Sequence, residues 1–143
     1  MVNNANRKLA LLSRVLGRFP LNCAAKLFCT LVRPLLETNI QECSPYLQRD
    51  IASIESVQRR ATKKVQGLTD KSYGERLVSL QLFPLNYRRT RGDLIMVYNI
   101  LNTINHPNRE LLTLAHTTHL RGHSFKLETQ RARLQCRHYS FSV

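Results

Sequence analysis

Ile51, Ile54, Val57, Ala61, Val65 and Leu68 recur at intervals of three and four residues. Wound as a helix at about 100° per residue, they share an arc of about 120°. Arg59, Arg60, Lys63 and Lys64 fill the opposite arc. The segment is therefore expected to be an amphipathic helix whose apolar face is covered by other elements. Its wet face is almost purely basic. Glu55 stands four residues before Arg59 and is placed to pair with it, whereas Lys63 and Lys64 have Arg59 and Arg60 at that spacing, which is repulsive. A solvated helix face accounts for most charge runs. Crowded, unopposed cations point further, to a surface that meets something polyanionic.

Proline, glycine and capping residues divide the rest into more helices. Ala5, Leu9, Leu12 and Leu16, with Leu11 and Val15, make a first amphipathic helix that Gly17 and Pro20 end. A second is expected over residues 21–32, kinked or stopped by Pro34, with Arg33 biased away from helix by the proline after it. Ser44-Pro45 has the form of an N-cap followed by proline at the first helical position. The third helix is expected to run from there to about Gln66, with Gly67 as its stop. Ser72 and Glu75 have capping-box spacing and predict a short helix through Leu77 and Leu80. Tyr87, Leu94, Ile95, Tyr98 and Leu101 then lie on one side of a fifth helix, with Arg88 and Arg89 near its start. Cations are disfavoured at a helix N-terminus, and an external anion there would relieve them. Asn105-His106-Pro107-Asn108 is a turn. Residues 117–127 alternate loosely around Arg121-Gly122, a possible hairpin, and the chain ends in an apolar, strand-like run that suggests a fragment. The expected architecture is mainly α, a small bundle of about five helices with a short C-terminal hairpin or irregular segment. Its expected division is a helical region over residues 1–104 and a basic segment over residues 105–143.

Charge narrows the function. Twenty-two Lys and Arg stand against nine Asp and Glu, a net +13. Cations exceed anions by seven to three over residues 1–50, nine to four over 51–100 and six to two beyond, so the excess is no basic tail on a neutral domain. A body basic throughout meets nucleic acid or an anionic membrane surface, and nucleic acid is the stronger expectation. No apolar run approaches a bilayer span. Six cations and no acid before Glu37 have an organellar transit-peptide flavour, which Pro20, Pro34 and the continuing basic charge oppose. Cys23, Cys29, Cys43 and Cys136 form no C-x-x-C pair, so free thiols in an intracellular compartment, nuclear or cytoplasmic, are expected.

Other chemistry is thinly supported. His116, His119 and His123 would line one face of a helix, but His123 follows Gly122 in a turn-like stretch and no second ligand pair has zinc spacing, so no metal is expected. Five scattered glycines make no phosphate loop, and neither a cofactor nor a small-molecule substrate is expected. In "NYRRTRGDL", Arg91 or Arg89 pairs with Asp93 in an architectural reading, while Arg88 and Arg89 contact phosphate in a functional one.

Three stretches together resemble a known family. "SPYLQRDIASIESVQRRATKKVQGL", "YGERLVSLQLFPLNYRRTRGDLIMVYNILN" and "LRGHSFKLETQRARL" are similar to the region C-terminal to the polymerase core of non-LTR (LINE-type) retrotransposon reverse transcriptases. "ANRKLALLSRV" and "KLFCTLVRPLLE" resemble that family's thumb, in the same order, so the likeness runs from about Ala5 to Val143. Val57 to Thr62 match the first motif, Arg88, Arg89 and Arg91 to Leu94 the second, and Arg121 to Ser124 the third. The resemblance implies a helical thumb and post-thumb segment that grips template and primer. It departs from the family at Cys43, where a tryptophan is usual, and at Gln66, where a proline is common, which implies a diverged copy. The palm's paired aspartates have no counterpart: Asp50, Asp70 and Asp93 are scattered, whereas two-metal phosphoryl chemistry needs clustered carboxylates.

The expectation is thus a non-catalytic, nucleic-acid-binding piece of an RNA-directed DNA polymerase. Arg59, Arg60, Lys63, Lys64, Arg88 and Arg89 are the candidate contacts to phosphate, and RNA or an RNA/DNA hybrid and the parent polymerase's palm are the partners. Two alternatives compete: a helical module that only docks against the rest of a polymerase, and a basic amphipathic protein of a membrane surface or organelle.

Overall fold

The computed structural model describes residues 1–38, 45–115 and 125–141. Ser44, Cys43, Arg121, Gly122, Ser124 and the three histidines His116, His119 and His123 lie outside the described residues, and with them the hairpin turn and the metal reading. The helix expected to open at Ser44-Pro45 begins instead at Gln48, because the Leu47 carbonyl accepts from the N–H groups of Asp50 and Ile51 and Leu47 takes the N-cap position. Among the described residues the protein is mainly helical, as the apolar spacing predicts, and contains no extended strand.

Helix α1 spans Val2–Leu16. Gly17 closes it at φ +66°, a left-handed conformation that side-chain-bearing residues avoid, and donates its N–H to the Ser13 carbonyl at 3.0 Å. The next stretch departs from expectation. Helix α2 (Leu21–Leu27) passes through a π-helical turn (Phe28–Val32) into helix α3 (Arg33–Glu37), so Pro34 neither stops the rod nor pulls Arg33 out of helical geometry. The reason is local. Arg33 donates its N–H five residues back, to the Phe28 carbonyl, and this widened turn accommodates the proline that follows.

Helix α4 spans Gln48–Lys63. It stops short of Gln66 because the backbone at Lys64 to Gln66 is taken by Phe19. Phe19 donates to the Lys64 carbonyl and accepts from the Gln66 N–H, both at 3.0 Å. Gly67 then turns the chain at φ +74°. The predicted arc behaves as read: Ile54, Val57, Ala61, Val65 and Leu68 are buried and Ile51 half-buried. The five buried ones join Ala5, Leu9, Phe19, Phe28, Val32 and Leu36 in one apolar core. Each fully buried Val, Leu or Phe there contributes about 1.5–3 kcal/mol.

Helix α5 (Tyr73–Ser79) opens on the predicted capping box. The Ser72 N–H donates to Glu75 Oε2 at 2.8 Å, and the Glu75 N–H donates to Ser72 Oγ at 3.4 Å. Helix α6 spans Leu85–Asn102, and most of its expected apolar side faces outward. Leu85, Arg89 and Ile100 are buried, while Tyr87, Leu94, Ile95 and Tyr98 are exposed. This helix is apolar on both sides, so its fixings decide which side is covered. The Leu85 N–H donates to Glu55 Oε2 at 3.0 Å, and Arg89 reaches the end of α3. Arg109 caps the far end, donating from Nη1 to the carbonyls of Ile100 and Leu101 at 3.0 and 2.9 Å.

The expected turn at Asn105-His106-Pro107-Asn108 is present, with Asn105 at φ +61° and the Asn108 N–H on His106 Nδ1. Beyond it the arms flanking residues 116–124 pair antiparallel through one bridge, Leu114 with Leu127. The strand-like reading of the C-terminus does not hold. A short helix, α7 (Gln135–His138), forms instead, and Tyr139 stacks on Tyr46 with centroids 5.5 Å apart.

Candidate nucleic-acid interface

Helix α4 is fixed between two neighbours, and this orients its basic arc. On one side Gln58, fully buried, donates from Nε2 to the Phe83 carbonyl at 3.0 Å and to Tyr73 Oη at 3.2 Å. The Tyr73 hydroxyl donates in turn to Glu55 Oε1. Burial and the Glu55 charge together hold that phenol protonated far above the usual range. On the other side α1 packs against α4 through Ala5 and Leu9.

With its inner side held this way, α4 turns Arg59, Arg60, Lys63 and Lys64 outward, and all four are exposed. Arg60 donates from Nη2 to Asn6 Oδ1 at 2.8 Å, and Lys64 from Nζ to Ser13 Oγ at 2.8 Å. Arg59 lies over the Tyr73 ring, 4.9 Å from its centroid. Among the described residues no carboxylate forms an ion pair with any of the four. The expected Glu55–Arg59 pair is absent because Glu55 is spent on Tyr73 and Leu85. Three of the four cations are thus held by neutral oxygens and an aromatic face, and Lys63 is exposed beside them. Their charge is left uncompensated and available to an anion.

Arg88 and Arg89 occupy a different environment. Arg88 grips Glu37 at two points, through Nε to Oε1 and through Nη2 to Oε2 at 3.1 Å. That contact raises the Arg88 pKa and keeps it charged. Arg89 is 6% exposed and donates from Nη2 to the Leu36 carbonyl at 3.0 Å. Its charge also bears on Asp93, whose carboxyl is nonetheless pushed up by burial. Cations at the start of α6 therefore find relief inside the protein. The negative end of α3 and Glu37 stand where an external anion was expected. Arg88 and Arg89 thus make packing contacts, but to Glu37 and the Leu36 carbonyl rather than in the Asp93 ion pair expected within "NYRRTRGDL". Asp93 Oδ1 is buried with no hydrogen-bond partner among the described residues, and Arg91 is exposed.

Several contributors escape a reading of the sequence. Asn6 and Ser13 support the arc from α1, and Arg7 and Arg14, one residue beyond each, are exposed. Arg76 is buried, donating to Thr62 Oγ1 at 3.2 Å and to the Lys71 carbonyl at 2.6 Å, and it lies over the same Tyr73 ring as Arg59. The i, i+7 spacing of Asn6 and Ser13 places them on one side of α1, but only the docked helices show what they face. Among the described residues no group of His, Cys, Asp or Glu side chains is disposed to hold a metal ion, and no helix is long and apolar enough to cross a membrane. The chain matches no protein-family model, no curated protein and no solved structure.

Proposed function

We propose that the outer face of α4 grips the phosphate backbone of RNA or an RNA/DNA hybrid, and that the chain is a non-catalytic, nucleic-acid-holding piece of a retrotransposon RNA-directed DNA polymerase, working in the nucleus or cytoplasm. The observation that carries this reading is the exposed quartet Arg59, Arg60, Lys63 and Lys64, with no carboxylate paired to it among the described residues. Phosphate contacts of this kind supply affinity and register without reading bases. Counterion release then makes binding fall steeply with salt.

The test is a salt titration of binding to an RNA/DNA hybrid. Lys63→Ala with Lys64→Ala is expected to flatten the slope of log K against log salt by about one unit per lysine, alike for any sequence. Arg88→Ala, whose guanidinium is held by Glu37, is expected to leave the slope unchanged. An unaltered slope in the double variant removes the quartet from the interface. A second reading, a module that only docks against the palm of a polymerase, is favoured by the uncovered face of α6, where Tyr87, Leu94 and Tyr98 are exposed. It predicts no binding to the hybrid even at low salt.

A further inference from the structure

Helix α1 leaves part of its apolar surface uncovered. Leu11, Leu12, Val15 and Leu16, with Leu31 from the π-helical turn and Lys8 at the rim, line a groove of about 320 Å³. Val15 is 80% exposed and Leu11 54%. Asn6 and Ser13, which support the basic arc, fall on the opposite flank of α1 from Leu11 and Val15, so the groove and the basic face are separate surfaces.

We propose that this groove is the docking site of an acidic amphipathic helix from a partner protein. Its concavity suits a row of aliphatic side chains at i, i+4 spacing, which a flat bilayer surface does not offer. Its charge selects the partner's sign. Lys8 lines it, Arg7 lines the adjoining hollow with Leu35, and no acid precedes Glu37 in the chain. Glu37 itself is occupied by Arg88 and Arg33. Acidic residues flanking an apolar stripe are therefore matched, and basic ones repelled. A second copy of this chain, carrying +13, is a poor occupant for the same reason.

The probe is a fluorescein-labelled synthetic helix with leucine at i, i+4 and i+7 and glutamate elsewhere, titrated with the full chain by fluorescence anisotropy. Saturable binding is expected, weakened about tenfold by Val15→Glu. Because Val15 is so exposed, that variant is expected to keep the wild-type circular dichroism spectrum. Lys63→Ala with Lys64→Ala is expected to leave peptide affinity within about twofold, since distant sites act independently. This separates the groove from the nucleic-acid surface: either can fail alone. Equal binding of a peptide with lysine in place of glutamate overturns the proposal, as does an affinity indifferent to Val15→Glu. Flotation with anionic vesicles that Val15→Glu abolishes, without peptide binding, reassigns the face to a membrane. Self-association of the chain that Val15→Glu abolishes reassigns it to a second copy.

Discussion

Asp93 shows how one side chain can carry a cost that its neighbours only partly offset. Burial raises its carboxyl pKa, and the charge of Arg89 lowers it by less. In the folded state the group therefore binds its proton more tightly than in the unfolded chain. Stability falls as pH rises from the ordinary carboxylate pKa through the raised one. Asp93→Asn is expected to stabilise the protein at pH 7 by an amount that disappears at acidic pH, read from urea midpoints across the pH range. Residue-level reading of the sequence succeeded where helical periodicity fixes a direction, as for Arg59 and Lys63. It missed the partner of Glu55 because Tyr73, 18 residues further on, returns only through a loop whose path the sequence does not display. The two guanidiniums of Arg88 and Arg89 were open to either reading for the same reason: Leu36 and Glu37 stand about fifty residues away in the chain, with separations of 53 and 51.

Elements with local signals were legible as elements. The reciprocal bonds of Ser72 and Glu75 need only four consecutive residues, so the start of α5 follows from the sequence. Ser72→Ala is expected to cost about 1 kcal/mol, measured by chemical denaturation at pH 7. The Glu75 carboxyl is held below its ordinary range by the Ser72 hydroxyl and N–H. The carboxylate's share of this cap is accordingly complete above the ordinary carboxylate pKa and lost as pH falls through the lowered one, while the Glu75 N–H to Ser72 Oγ bond does not titrate. Elements shaped by distant contacts were not legible. The end of α4 depends on Phe19 pairing with Lys64 and Gln66, and the exposed face of α6 depends on how its first turns are fastened to α3 and α4. Pro34 is an intermediate case. The proline is visible in the sequence, but the π-helical turn that accommodates it is one of several responses open to a helix.

For the whole molecule, a single apolar core drawn from Ala5 through Leu85 has to hold together a body carrying +13. Self-repulsion opposes compactness, and added salt screens it. Raising ionic strength is therefore expected to increase stability by on the order of 1 kcal/mol, a Tm rise of about 3 °C in calorimetry, while the same salt weakens nucleic-acid binding. Opposite responses to one variable separate the cohesion of the fold from the grip of its surface. The placement of Tyr73 adds a practical consequence. The chain has no tryptophan, so its near-ultraviolet emission comes from tyrosine alone. One of those rings lies beneath Arg59, at one edge of the cationic row. A ligand that draws the Arg59 guanidinium away changes the surroundings of that fluorophore, so occupancy can be followed by light without attaching a dye.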